Sequence, residues 1–123
     1  MQYSIDKQEH FVTFTLDEEN LNSLLAPNLK SEFIYLKNEG VSNLILDLGN
    51  VKFVDSSGLS AILTGNRLWK DEGKFILANI ESKSVQKLIE ISRLESILEI
   101  IPTVQEAKDL IIMEELSKDL ESE

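Results

Sequence analysis

Asp55-Ser56-Ser57-Gly58 brings together an acid, two hydroxyls and a glycine directly before the apolar-periodic run Leu59, Ile62, Leu63. A serine at the mouth of a helix is accessible, and a phosphate attached there meets the partial positive charge of the helix start, about half a unit. The same four residues are also good N-cap and turn chemistry, which requires no function. As a nucleophile, Ser56 or Ser57 would need a positioned base. The single histidine, His10, falls on an expected N-terminal strand and reads as an ordinary surface residue. No G-x-S-x-G elbow occurs. Asp47 and Asp55 form at most an isolated pair of carboxylates, a weak Mg²⁺ signal without a third ligand. Cysteine is absent, which excludes disulfides, thiolate metal sites and cysteine nucleophiles. TGNRLWKDEG lacks the spacing of a phosphate-binding loop, and Arg67 and Lys70 are expected to face solvent. Catalysis is therefore disfavoured, and no cofactor or metal is expected.

The elements around this turn follow from periodicity. YSI and HFVTFTL read as two short strands, with Val12, Phe14 and Leu16 alternating against Phe11, Thr13 and Thr15. Leu25, Leu29, Phe33 and Leu36 share one face of a helix that carries Pro27 in its first turn and stops at Gly40. NLILDL and KFILANI are nearly continuous apolar runs, the pattern of strands buried on both faces of a parallel sheet. Between them lies a helix with Leu59, Ile62, Leu63 and Trp69 as its expected core face, closed by Gly73. Ser82 or Ser84 caps a short helix carrying Val85, Leu88 and Ile89, and ILEII is a fifth strand stopped by Pro102. Thr103 and Glu106 form a capping box that opens a last helix with Ala107, Leu110, Ile111 and Leu116 turned inward. The resulting order, β-β-α-β-α-β-α-β-α, is an α/β fold: one mixed, mainly parallel sheet of about five strands with about four helices. One domain is expected over residues 1–113, followed by an acidic helix end or tail over 114–123. In such a sheet, ligands and partners gather at the carboxyl ends of the strands, where the Ser56 turn falls.

Charge narrows the partners. Twelve basic against 22 acidic residues give a net of −10, unsuited to nucleic acid or anionic membrane surfaces. No window approaches the roughly 18 unbroken apolar residues of a membrane span, and MQYSIDKQEH has no signal-like apolar stretch. These features point to the cytoplasm. The oligomeric state is left open between monomer and weak dimer.

The run FVDSSGLSAIL resembles the signature of STAS domains, in particular the bacterial anti-sigma factor antagonists. The preceding LILDL strand, the KFILANI strand and the ISRLESILEII segment fall where that family has theirs, so the resemblance implies a single STAS-like domain. It further implies that Ser56 is phosphorylated by an anti-sigma factor that is itself a serine kinase, and that a PP2C-type phosphatase removes the phosphate. Asp55 corresponds to the motif acid, Ser57 to the second hydroxyl position, and Gly58 to the residue that permits close approach. Ser60 and Thr64, with Arg67, lie on the helix flanking the turn and are candidate partner contacts, whereas Trp69 is expected in the core. One departure concerns the second strand, where many members carry a Gly-x-x-Asp pattern. Here the stretch reads DEENLNSL, with Asn22 at the place of the acid and no glycine before it. The alternative within binding proteins is a non-switching STAS scaffold or a soluble subunit of a signalling or transport complex, with nucleotide binding as a further variant of that reading.

Overall fold

A computed structural model describes residues 1–121. Strand β1 (Tyr3–Lys7) turns back antiparallel to β2 (Val12–Leu16), with Tyr3 opposite Leu16 and Lys7 opposite Val12. There follow β3 (Asn20–Leu21), α1 (Ala26–Asn38), β4 (Asn43–Asp47), β5 (Phe53–Val54) and α2 (Ser56–Trp69). The chain continues through β6 (Lys74–Ala78), α3 (Lys83–Ile91), a 3₁₀ turn (Leu94–Ser96), β7 (Glu99–Ile101) and α4 (Val104–Glu121). Among the described residues the main sheet has five strands in the order β1-β2-β4-β6-β7, parallel except for β1. This is the expected α/β domain with its four helices. The sequence pattern did not disclose the separate parallel pair β3–β5, in which Asn20 faces Phe53 and Leu21 faces Val54.

Alternation along the central strands builds two apolar layers. Phe14, Leu16, Leu44, Leu46, Phe75 and Leu77 point to the side carrying α1, α2 and α3. Ile45, Ile76 and Ala78 point to the other side, where Ala107 and Ile111 of α4 cover them. Burial on both faces accounts for the unbroken apolar character of β4 and β6.

An aromatic cluster fixes α2. Phe33 meets Phe14, Trp69 and Phe75 edge-on at centroid distances of 5.9, 6.1 and 5.5 Å. Such pairs contribute roughly 0.5–1.5 kcal/mol each beyond their area. Trp69 is fully buried, and its Nε1–H donates to the Val41 carbonyl at 2.8 Å. A Cβ on Gly65 would run into the rings of Phe75 and Phe33, so the glycine lets α2 lie close against α1 and the sheet.

Several expectations change in detail. On α2 the fully buried line is Gly58, Ala61, Ile62, Gly65 and Trp69; Leu59 and Leu63 sit at its margin, half-buried. Leu25 is the residue that caps α1 and is only half-buried, while Leu29, Phe33 and Leu36 are buried as expected. His10 lies in the turn before β2 rather than on the strand. The fifth strand pairs only over Glu99–Ile101, because the 3₁₀ turn precedes it and leaves Ile97 exposed. Leu116 is 57% exposed and turned outward. Five residues beyond Ile111 it has rotated about 140° off the buried stripe, given 100° per residue. Ser82 caps α3, accepting the Val85 N–H at 3.2 Å, and Thr103 accepts the Glu106 N–H at 3.1 Å. Helix α4 runs on to Glu121, so the first eight residues of the expected acidic end are helical; its last two lie outside the described residues.

Candidate functional site

The turn into α2 is held from three directions. Asp55 is the N-cap, with φ −95° and ψ −176°, and its Oδ1 accepts the Gly58 N–H at 2.8 Å. That bond satisfies one of the orphan donors of the helix start. The Asp55 N–H donates to the Leu21 carbonyl at 3.2 Å, which extends the β3–β5 ladder by one step. Continuing the register sets Asn22 beside Asp55. From the other flank, the Ser82 hydroxyl donates to the Lys52 carbonyl at 2.6 Å, while the Lys52 and Phe53 N–H groups both donate to the Glu19 carbonyl.

Within this frame Ser56 is exposed, Ser57 half-buried and Gly58 buried. A Cβ on Gly58 would land on the Leu21 carbonyl oxygen. Its close approach is thus to the backbone of β3, inside the protein. Ser60 and Thr64 follow on α2, both half-buried. Thr64 donates through Oγ1 to the Ser60 carbonyl at 3.0 Å and accepts from Arg67 Nη2 at 3.2 Å. Asn22 serves the start of α1: its Oδ1 accepts the Leu24 N–H at 3.0 Å, and its carbonyl accepts from Leu25 and Ala26. Asn22, Asp55, Ser56 and Ser57 therefore share one edge at the carboxyl end of the sheet, with Ser60 and Thr64 extending from it along α2.

Two neighbours escaped the sequence. Ser23 and Lys30 line, with Ala26, Pro27, Ser56, Ser57 and Ser60, an open cleft of about 360 Å³ between the first turns of α1 and α2. The β3–β5 pairing brings Ser23 to Ser56 and the packing of α1 against α2 brings Lys30, and no local motif encodes either. Exposed Leu24 and Phe53, at 81% and 57%, stand on the segments bordering the turn.

Asp47 is committed elsewhere. Its Oδ1 accepts from the Gly49 N–H at 2.9 Å and from Asn79 Nδ2 at 3.2 Å, and its Oδ2 accepts from Thr15 Oγ1 at 3.4 Å. It ties the ends of β2, β4 and β6 together and shares no hydrogen-bond partner with Asp55. Among the described residues no three His, Asp or Glu side chains cluster as a metal site, and no helix is long and apolar enough to cross a membrane. A second cleft of about 560 Å³, lined by Ile80, Ile89, Ile100 and Pro102 among others, shares no residue with the Ser56 cleft.

Known structures share this architecture. An anti-sigma factor antagonist from Mycobacterium paratuberculosis superposes with a TM-score of 0.80 at 16% identity, over 89% of this chain and 92% of that one. The Bacillus cell fate determinant SpoIIAA in its phosphorylated form gives a TM-score of 0.68 at 21% identity, over 89% and 99%. A sulfate transporter family protein from Wolinella succinogenes gives 0.70 at 14% identity, over 85% and 86%. The family model described as the STAS domain matches residues 2–107. Since that match takes in every strand, the Asp55-Ser56 turn and the opening of α4, the chain belongs to the STAS domain family.

Proposed function

We propose that the chain is a cytoplasmic anti-sigma factor antagonist: unphosphorylated, it binds an anti-sigma factor that is also a serine kinase, and phosphorylation of Ser56 releases it. The observation that carries this reading is the exposed Ser56 hydroxyl in the first turn of α2, on a backbone pinned by Asp55 and Leu21. A rigid, accessible hydroxyl suits phosphoryl transfer from ATP. The Oγ–P bond forms, the bond to the leaving ADP breaks, and the hydroxyl proton passes to a base of the kinase. A PP2C-type phosphatase would reverse the modification.

Phosphate brings a charge of about −1.5 to −2 to this edge. Beside Asp55, in a chain of net −10, it opposes docking of a partner fitted to a neutral serine. An uncompensated charge at an interface costs several kcal/mol, and about 1.4 kcal/mol already weakens binding tenfold. Asn22, Asp55, Ser57, Ser60 and Thr64 would form the contact surface around Ser56. Asn22 keeps a hydrogen-bonding shape where many family members carry an acid, so this chain would meet its kinase with one negative charge fewer.

The test is affinity for the partner kinase captured from the native host on immobilised Ser56→Ala protein. Ser56→Ala is expected to bind as tightly as the unmodified protein and Ser56→Asp at least tenfold more weakly. Equal affinities would overturn the switch. They would leave the second reading, a non-switching STAS subunit of a signalling or transport complex, which the fold likeness to a sulfate transporter family protein favours.

A further inference from the structure

We propose that Lys30 is the cation that receives the phosphate of modified Ser56, drawing it into the cleft between α1 and α2 together with the hydroxyls of Ser23, Ser57 and Ser60. The inference rests on the phosphorylation of Ser56 argued above and assigns the residues that answer it.

Lys30 is unusual in its surroundings. In a chain with 22 acidic residues, the other half-buried lysines among the described residues all have partners. Lys37 pairs with Glu72 at 4.0 Å and lies over Trp69. Lys74 pairs with Glu99 and Glu114, and Lys108 lies over the Phe11 ring. Half-buried Lys30 has neither an ion pair nor an aromatic partner among the described residues. Its stem is partly covered while its ammonium has no acid to pair with, so the position suits a cation whose anion arrives later.

The rest of the cleft has the same character. Ser23, Ser56, Ser57 and Ser60 line it with Lys30. None of their four hydroxyls is hydrogen-bonded among the described residues, and Lys30 is the sole titratable group in the lining. A phosphate monoester offers several strong acceptor oxygens, and a lysine with three hydroxyl donors supplies a matching set. Asp55, the adjacent carboxylate, does not line the cleft, and one of its oxygens is committed to the Gly58 N–H. Modification would then do two things at once: add a net negative charge where a partner docks, since one lysine offsets only part of the phosphate's charge of about −1.5 to −2, and fill a cleft that the unmodified protein holds open. Lys30 acts here as a positioning residue, fixing the orientation of the phosphate and its presentation to a phosphatase.

The test installs phosphoserine at position 56 during translation, so that no kinase is involved, and follows its phosphorus resonance against pH in the intact chain. Wild-type protein is compared with Lys30→Gln and Lys30→Arg. Losing the cation is expected to raise the midpoint of the last phosphate ionisation by about 0.5–1 pH unit, since a nearby positive charge favours the dianion. Lys30→Arg should titrate near wild type. Dephosphorylation of Lys30→Gln by a PP2C-type phosphatase should change by at least threefold in rate. Identical midpoints for wild type and Lys30→Gln would overturn the assignment, as would a failure of arginine to restore the wild-type midpoint. A Ser56 that is never modified in the native host would instead sink the regulatory reading and leave the titration result standing.

Discussion

Asp55 does structural work whatever binds outside it, and that work can be measured. Its carboxylate holds the Gly58 N–H, so Asp55→Ala should cost about 1 kcal/mol of stability in urea unfolding, with Asp55→Asn or Asp55→Ser keeping most of it. Gly58 is the harder constraint. An added methyl meets the Leu21 carbonyl oxygen, a backbone atom with no rotamer to escape into, so Gly58→Ala should cost roughly 1–3 kcal/mol. Gly40→Ala provides the contrast. There φ is +92° and no atom lies within 4 Å, so only backbone strain of about 1 kcal/mol is expected. If Gly58→Ala were no costlier than Gly40→Ala, the packing of α2 against β3 would not be what demands a glycine. These residues were legible in the sequence because cap, hydroxyl and glycine are consecutive. Lys30 and Ser23 were not, since nothing local links them to Ser56.

The elements divide the same way between what periodicity reveals and what only pairing reveals. The apolar runs of β4 and β6 and the four-residue spacing of α1 disclosed buried strands and a buried helix face, because a layered fold leaves such patterns in the chain. The pair β3–β5 left no pattern: two residues are too few for alternation, and their backbones do the pairing. Helix α4 misled for a different reason. Past Ile111 its inward side no longer faces the apolar layer and carries Glu114 and Glu115 instead, which reach Lys74 and Asn43 at 3.2 and 3.3 Å. The apolar residues Ile112, Met113, Leu116 and Leu120 are turned outward, 40–72% exposed. Leu116→Ser should therefore change stability by no more than about 0.5 kcal/mol, as is usual for surface positions. Ile111→Ala, 1% exposed against Ile45 and Ile76, should cost about 2–5 kcal/mol. Chemical denaturation of the two variants side by side decides the orientation of the helix. Comparable losses in both would mean that Leu116 is covered.

At the scale of the molecule, the two ends of the sheet have different tasks. The carboxyl end carries Ser56 and its cleft, and the amino end carries a polar knot that ties layers together. Asn43, 2% exposed, donates to the His10 carbonyl at 2.7 Å and accepts the Lys74 N–H at 2.9 Å. The Lys74 ammonium joins Glu99 of β7 at 2.9 Å and Glu114 of α4 at 3.2 Å. Burial on its own would lower the pKa of Lys74, but the hydrogen bonds to Glu99 and Glu114 outweigh it and raise the pKa above the usual lysine value. A group whose pKa is raised on folding stabilises the fold fully below its unfolded value, about 10.4 for lysine. That contribution disappears as pH rises through the still higher folded value. Lys74→Met should accordingly cost about 1–2 kcal/mol at pH 8, where two carboxylates lose their shared cation. The gap between wild type and variant should be unchanged from pH 7 to 9 and narrow above pH 10.4, as read from urea midpoints at each pH. A gap that stays constant to pH 11 would show that the charge of Lys74 does not supply the stabilisation. Partner binding at the Ser56 edge should be the same in both proteins at pH 8, because the knot and the switch lie at opposite ends of the strands.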